Sequence, residues 1–137
     1  MRNLLLISTA VLMAACLPDR TAEPQGERTL HDRVLTLDTH IDIPLTYMKE
    51  IDPQFNTALQ VDLPKLAEGK LDAGFWIIYT PQGEMTAEGY AAGREIAETR
   101  YRAITDFVNS YPETVEMALT ANDVRTAVAN GRHAVLI

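Results

Sequence analysis

The sequence predicts an α/β fold built on a parallel sheet, and three observations predict it. The run Ala73-Gly-Phe-Trp-Ile-Ile-Tyr79 is apolar, aromatic and β-branched without alternation, as a strand covered on both faces must be. Shorter apolar runs at 34–38 and 134–137 stand far enough from it for helical crossovers. Helical patterns fill the gaps, giving the strand–helix–strand rhythm of an α/β protein.

In chain order, residues 29–33 form a short lead-in and 34–38 the first strand. Residues 44–50 read as a turn of helix, and 51–59, with Asp52-Pro53 and Asn56, as loop. Asp62-Leu-Pro-Lys begins a short helix, with Asp as N-cap and Pro in the first turn; Gly69 suits the position that ends it. The strand at 73–79 is stopped by Pro81 and Gly83. Thr86 caps the longest helix, Glu88 complements its first turn, and Pro112 ends it. Its apolar residues Ala97, Tyr101, Ile104, Val108 and Tyr111 recur at +4, +3, +4, +3 and predict the stripe that meets the sheet. Residues 115–119 fit a short strand, and Thr120-Ala-Asn-Asp123 resembles a capping box that opens a helix ending at Gly131. A further strand follows at 134–137.

The chain has 137 residues, 47% of them apolar, which suffices for a core. A net charge of −7 and the lack of any basic stripe exclude the electrostatic footprint of a nucleic-acid binder. The single cysteine, Cys16, permits no disulfide within the chain. It follows Arg2, an apolar stretch from Leu4 and the small pair Ala14-Ala15, the pattern of a secretory signal peptide over residues 1–15. The stretch is shorter than the ~20 apolar residues a spanning helix needs. Ala14-Ala15-Cys16 resembles a bacterial lipobox, although Met13 stands where Leu is usual. The expectation is an exported protein, periplasmic or at the cell surface, lipid-anchored to a membrane through Cys16, with plain secretion as the alternative. Residues 16–28 contain two prolines and a glycine and read as a tether.

The chemistry gathers in Leu35-Thr-Leu-Asp-Thr-His-Ile-Asp-Ile-Pro44. Residues two apart on a strand point to one side, so the imidazole of His40 and the carboxylate of Asp42 can converge. Neutral imidazole and carboxylate oxygen suit Zn²⁺ and similar divalent ions. Asp38 either supports His40 or caps the turn. Asp62 reads as an N-cap, His31 as a surface residue and His133 as a loop residue. Arg94, Arg100 and Arg102 read as the solvated side of the long helix. Trp76 and Tyr79 read as core, with substrate binding a further role for Tyr79 near its strand's end.

Three stretches together resemble the membrane dipeptidases, the renal-dipeptidase-like zinc enzymes of peptidase family M19. Asp38-Thr-His-Ile-Asp-Ile-Pro44 is similar to the family's D-x-H-x-D-x-P opening. Gln60-Val-Asp-Leu-Pro-Lys-Leu-Ala-Glu-Gly-Lys-Leu-Asp-Ala-Gly-Phe-Trp-Ile-Ile-Tyr-Thr-Pro81 resembles its D-L-P-x-L segment and the F-W-x-x-Y that follows. Ala121-Asn-Asp-Val124 with Gly131-Arg-His-Ala-Val-Leu-Ile137 looks like the approach to the strand of the next metal ligand.

The resemblance implies the N-terminal part of a TIM-like (β/α)8 barrel over residues 29–137, cut after about three strands, since a whole barrel takes about 250 residues. It implies a binuclear Zn²⁺ site with His40 and Asp42 as metal ligands and the bridging glutamate beyond Ile137. The implied function is hydrolysis of small dipeptides by a metal-activated water, with this chain inactive alone. Members of the family are often dimers, so a homodimer is among the expected assemblies. The alternative is a non-catalytic, surface-tethered lipoprotein or remnant of the same fold. A third reading, an amidohydrolase, would typically open His-x-His, which Asp42 does not match.

Overall fold

The computed structural model describes residues 29–137. The expected signal peptide at 1–15, Cys16 and the rest of the tether at 16–28 lie outside the described residues. Four strands form one parallel sheet: β1 (Leu37–Ile41), β2 (Ala73–Trp76), β3 (Val115–Met117) and β4 (His133–Leu136), in the spatial order β1-β2-β4-β3. Helices α1 (Leu63–Glu68), α2 (Ala87–Ser110) and α3 (Ala121–Ala129) make the crossovers, and a 3₁₀ turn, His31–Arg33, precedes β1. The α/β fold with a parallel sheet is the predicted one. The short strand expected at 115–119 is present as Val115–Met117 and makes the fourth strand of the sheet.

The topology decides where the helices lie. The chain steps from β1 to β2 and then past the place of β4 to reach β3, before α3 brings it back. Right-handed crossovers in opposite directions put their helices on opposite faces. One face accordingly gathers Ile41, Trp76, Val115 and Val135 with Leu66 of α1 and Ile104 and Phe107 of α2. The other gathers Ala73, Ala118 and Ala134 with Val124 and Ala127 of α3. Alanines on both sides let α3 lie close to the sheet.

The larger cluster is centred on Trp76, Phe107 and Tyr47, all fully buried. The Trp76 and Phe107 ring centroids are 4.8 Å apart, and Tyr47 meets both edge-on at 5.9 and 5.8 Å. Aromatic pairs in such arrangements contribute about 0.5–1.5 kcal/mol each beyond the area they bury.

The helix ends follow from the sequence. Thr86 accepts from the Gly89 N–H, Asp62 from the Lys65 N–H, and Thr120 and Asp123 form the reciprocal capping box. At the end of α3, Gly131 takes φ +73°, while Arg132 N–H reaches Ala127 O and Gly131 N–H reaches Val128 O. These are the two bonds of a Schellman motif, and the left-handed residue between them is the glycine the motif favours. The end of α1 uses the same two bonds one residue later than predicted. Gly69 keeps φ −75°, and Lys70 takes the left-handed position at φ 48°. Tertiary contacts hold Lys70 there: its ammonium pairs with Asp32 and its carbonyl accepts from the Thr36 hydroxyl.

Several predicted bounds and environments are corrected. The first strand is Leu37–Ile41 and so contains His40: its ladder begins where the Ala73 N–H meets Thr36 O, and the Thr36 N–H turns instead to the Asp72 carboxylate. Strand β2 stops at Trp76, where its pairing with β1 ends before Pro44 turns the chain away. Tyr79 therefore leaves the core and is 49% exposed. Residues 44–50 form hydrogen-bonded turns, not helix. On α2 the buried face is Ala103, Ile104 and Phe107, with Val108 and Tyr111 at its margin, whereas Tyr101 is exposed. The small Ala103 brings the helix onto the sheet, so the stripe turns toward Arg100 and away from Tyr101. His133 is no loop residue: it opens β4 and is buried.

Candidate metal centre

His40 and Asp42 lie beside a defect in the ladder. Leu37 pairs with Ala73 and Asp38 with Gly74, but Ile41 pairs with Trp76. Two residues of β1, Thr39 and His40, thus stand opposite the single Phe75 of β2, a bulge, and bulges commonly re-aim side chains beside functional sites. After the bulge Ile41 faces the α1/α2 core. Its neighbours His40 and Asp42 must face the opposite way.

Their side chains then meet. His40 Nε2 lies 3.3 Å from Asp42 Oδ2, with both side chains more than half exposed. The donor types and their separation fit a shared cation. Tetrahedral zinc with bonds of about 2.0–2.2 Å holds two ligand atoms roughly 3.4 Å apart. Of the two roles expected for Asp38, the contact is the turn cap: its Oδ1 accepts from the backbone N–H of His40 at 2.9 Å, two residues on. It fixes the backbone from which the imidazole projects. Among the described residues no group of three or more His, Cys, Asp or Glu gathers as a metal cage.

The pair borders an open groove of about 430 Å³ whose wall includes Asp38, Gln60, Val61 and Lys65. A larger hollow of about 690 Å³, near His31 and Asp72 before the strands begin, contains neither candidate ligand.

Asp62 is the predicted N-cap and is also fully buried. Burial would raise its pKa. The Lys65 ammonium and N–H donors from Thr57 and Lys65 outweigh burial and bring it down to about 2. Lys65 in turn donates to Asn56 Oδ1 and Thr57 O, both at 2.8 Å. This polar knot ties the loop after the site to α1 and so builds the groove wall. Among the remaining candidates, His31 is exposed, as are Arg94 and Arg102, and Arg102 pairs with Glu98.

Arg100 departs from its predicted solvated role. Its guanidinium donates to the carbonyl of Ile43, one residue after Asp42, and lies 5.6 Å over the Tyr79 ring. The sequence signal was available: Arg100 continues the Ala103–Ile104–Phe107 stripe by one turn at −3 and −4. Buried His133 is held at both ring nitrogens. Nδ1 lies 2.8 Å from Leu71 O, and Nε2 accepts from the Trp76 indole at 3.2 Å.

A sequence profile described as "Membrane dipeptidase (Peptidase family M19)" matches residues 25–137. The probable dipeptidase PvdM from Pseudomonas aeruginosa is similar in structure, with a TM-score of 0.69 and 25% sequence identity. The likeness covers 77% of this chain and 28% of that one, so the chain spans little more than a quarter of its structural neighbour. Among curated proteins no sequence matches. The likeness agrees with the α/β barrel class that the sequence resemblance implied. Family profile, architecture and the His-x-Asp pair at the end of β1 lead to one assignment: the chain belongs to the membrane dipeptidases, peptidase family M19.

Proposed function

We propose that the chain supplies the first metal-binding segment of a zinc-dependent dipeptidase acting on small dipeptides. The observation that carries this reading is the convergence of His40 Nε2 and Asp42 Oδ2 to 3.3 Å on one face of β1. Family membership and the dipeptidase neighbour support it. Bound zinc, binuclear in the complete enzyme, would supply an activated water and polarise the scissile carbonyl. The residues of this chain do the holding. His40 offers a ring nitrogen, Asp42 a carboxylate, and Asp38 fixes the His40 backbone. Tyr79, exposed beyond β2, is the candidate substrate contact.

Cys16 is the proposed lipid attachment point, tethering an exported protein to a membrane surface. Among the described residues no helix is long and apolar enough to cross a membrane. Homodimerisation completes the proposed assembly.

Two protein ligands fall short of the three that catalytic zinc usually takes, so the chain by itself is proposed to be inactive. Zinc titration against a competing chromophore, run beside a dipeptide hydrolysis assay, tests both parts. The expected result is zinc binding that falls at least about tenfold in His40→Ala and Asp42→Ala, with no turnover. Equal zinc affinity in the intact chain and the double variant would overturn the ligand assignment and favour the non-catalytic lipoprotein. Turnover above the His40→Ala control would overturn the proposed inactivity.

A further inference from the structure

The backbone at Asp42 is pinned on both sides. Before it, Ile41 O accepts from Ile77 N–H at 2.9 Å. After it, Ile43 O accepts from the Arg100 guanidinium. Ile41 and Ile43 are both buried, so the side chains flanking Asp42 are as fixed as its flanking carbonyls. The first constraint belongs to the sheet ladder. The second reaches across 57 residues from α2 and has no counterpart in the regular structure.

Arg100 is well placed to impose it. Ala103 and Ile104, one turn further along, are buried against the sheet, so the helix that presents the guanidinium is seated by its core face. The guanidinium carbon also lies 5.6 Å from the Tyr79 ring centroid, over its face, a cation–π contact. One planar group thus joins the segment leaving β1 to the segment leaving β2. Its Nε is buried without a hydrogen-bond partner. Leaving a buried donor unpaired is costly, and surface solvation gives no reason to accept that cost. A lysine could donate to Ile43 O but could not present a planar fork.

We propose that Arg100 is a positioning residue for the metal-binding pair, holding the Ile43 carbonyl so that Asp42 meets His40 in ligating geometry. The proposal rests on reading His40 and Asp42 as ligands. Residues that orient metal ligands from behind typically change metal affinity by about 10–100-fold when removed. Arg100 would be expected to act in that range.

The test uses cobalt as the probe, because its visible spectrum reports ligand geometry, and follows affinity, spectrum and melting temperature together. In Arg100→Met the expected result is a cobalt affinity lower by about tenfold or more, with an altered spectrum. Arg100→Lys keeps a donor for Ile43 O and is expected to recover part of both. Val124→Ala, in the separate cluster under α3, is the control for general destabilisation. It should lower the melting temperature and leave the cobalt spectrum unchanged.

If His40→Ala and Asp42→Ala abolish cobalt binding while Arg100→Met binds within about twofold of the parent, the positioning role is overturned and the ligand assignment stands. If His40→Ala and Asp42→Ala bind cobalt as the parent does, the ligand assignment fails and the positioning role fails with it. Should Arg100→Met not fold, Arg100→Lys decides: an unchanged spectrum at a lowered melting temperature would overturn the proposal.

Discussion

The Trp76 indole N–H donates to His133 Nε2 across 3.2 Å inside the sheet–helix core. The acceptor nitrogen must be unprotonated, and the other ring nitrogen, 2.8 Å from Leu71 O, must carry the proton. One neutral tautomer satisfies both contacts. Burial lowers the imidazole pKa, while the Leu71 carbonyl and the nearby Asp72 charge pull partly the other way.

A pH dependence of stability follows. The unfolded chain titrates this histidine near 6.5 and takes up its proton before the folded chain does. The contribution of His133 is therefore fully present above about pH 6.5 and is lost as pH falls from there toward its lower folded value. The midpoint of urea unfolding should drop between pH 8 and pH 5.5, and His133→Gln should flatten that slope. Trp76 is the only tryptophan of the chain and sits at the titrating contact, so its emission follows the transition.

A second acid window belongs to Asp62. Its carboxyl is held down to about 2 in the folded chain against 3.8 as the ordinary value. Stability from this group is present above about pH 4 and is lost as pH falls toward 2. Asp62→Ala removes the cap of α1 together with the acceptor for Thr57 and should cost about 3 kcal/mol. Chemical denaturation at pH 7 measures it. Because the knot shapes the groove wall, cobalt affinity measured in the same variant shows whether the loop also supports the metal pair.

Gly74 is fixed by a close approach. A Cβ there would stand 2.3 Å from Ile41 Cδ1 and 3.3 Å from its Cγ1. Gly74→Ala should destabilise by about 1–3 kcal/mol through overpacking. Ile41→Val deletes Cδ1, so the double variant should regain part of that loss, with energies that do not add. A double-mutant cycle by urea denaturation reads the coupling directly.

The metal pair should separate function from stability. His40 and Asp42 have side chains more than half exposed. Alanine at either position should change unfolding free energy by no more than about 0.5 kcal/mol. Calorimetry without added metal checks this, and metal titration of the same samples should show the loss that stability does not.

Much of the fold was legible because local chemistry and tertiary structure agree. Thr86, Asp62, Thr120 and Gly131 occupy the capping and terminating positions their types favour. The apolar run at 73–76 is a strand covered by helices on both faces. The His40–Asp42 pair was legible from the period of two. What escaped depends on contacts between distant residues. His133 carries a polar side chain at a strand start, and only Trp76 and Leu71, 57 and 62 residues earlier, make its burial acceptable. Arg100 looked solvated because its partner is a backbone carbonyl, which has no residue-type signature. Lys70 took the turn that Gly69 invited because Asp32 and Thr36 hold it there.

The bulge in β1 also sets a parity. Leu37 and Ile41 are four residues apart, an even interval that would place them on one face of a regular strand. Their partners Ala73 and Trp76 are three apart and belong to opposite core clusters. The extra residue reconciles the two counts. Deleting Thr39 would leave the chain a choice between two registers. Either Ile41 keeps its seat and the strand before it slips by one, or the earlier pairing holds and His40 and Asp42 swing into the α1/α2 core. Spacing between Asp38 and Asp42 is therefore a more stringent requirement on this chain than the identity of Thr39.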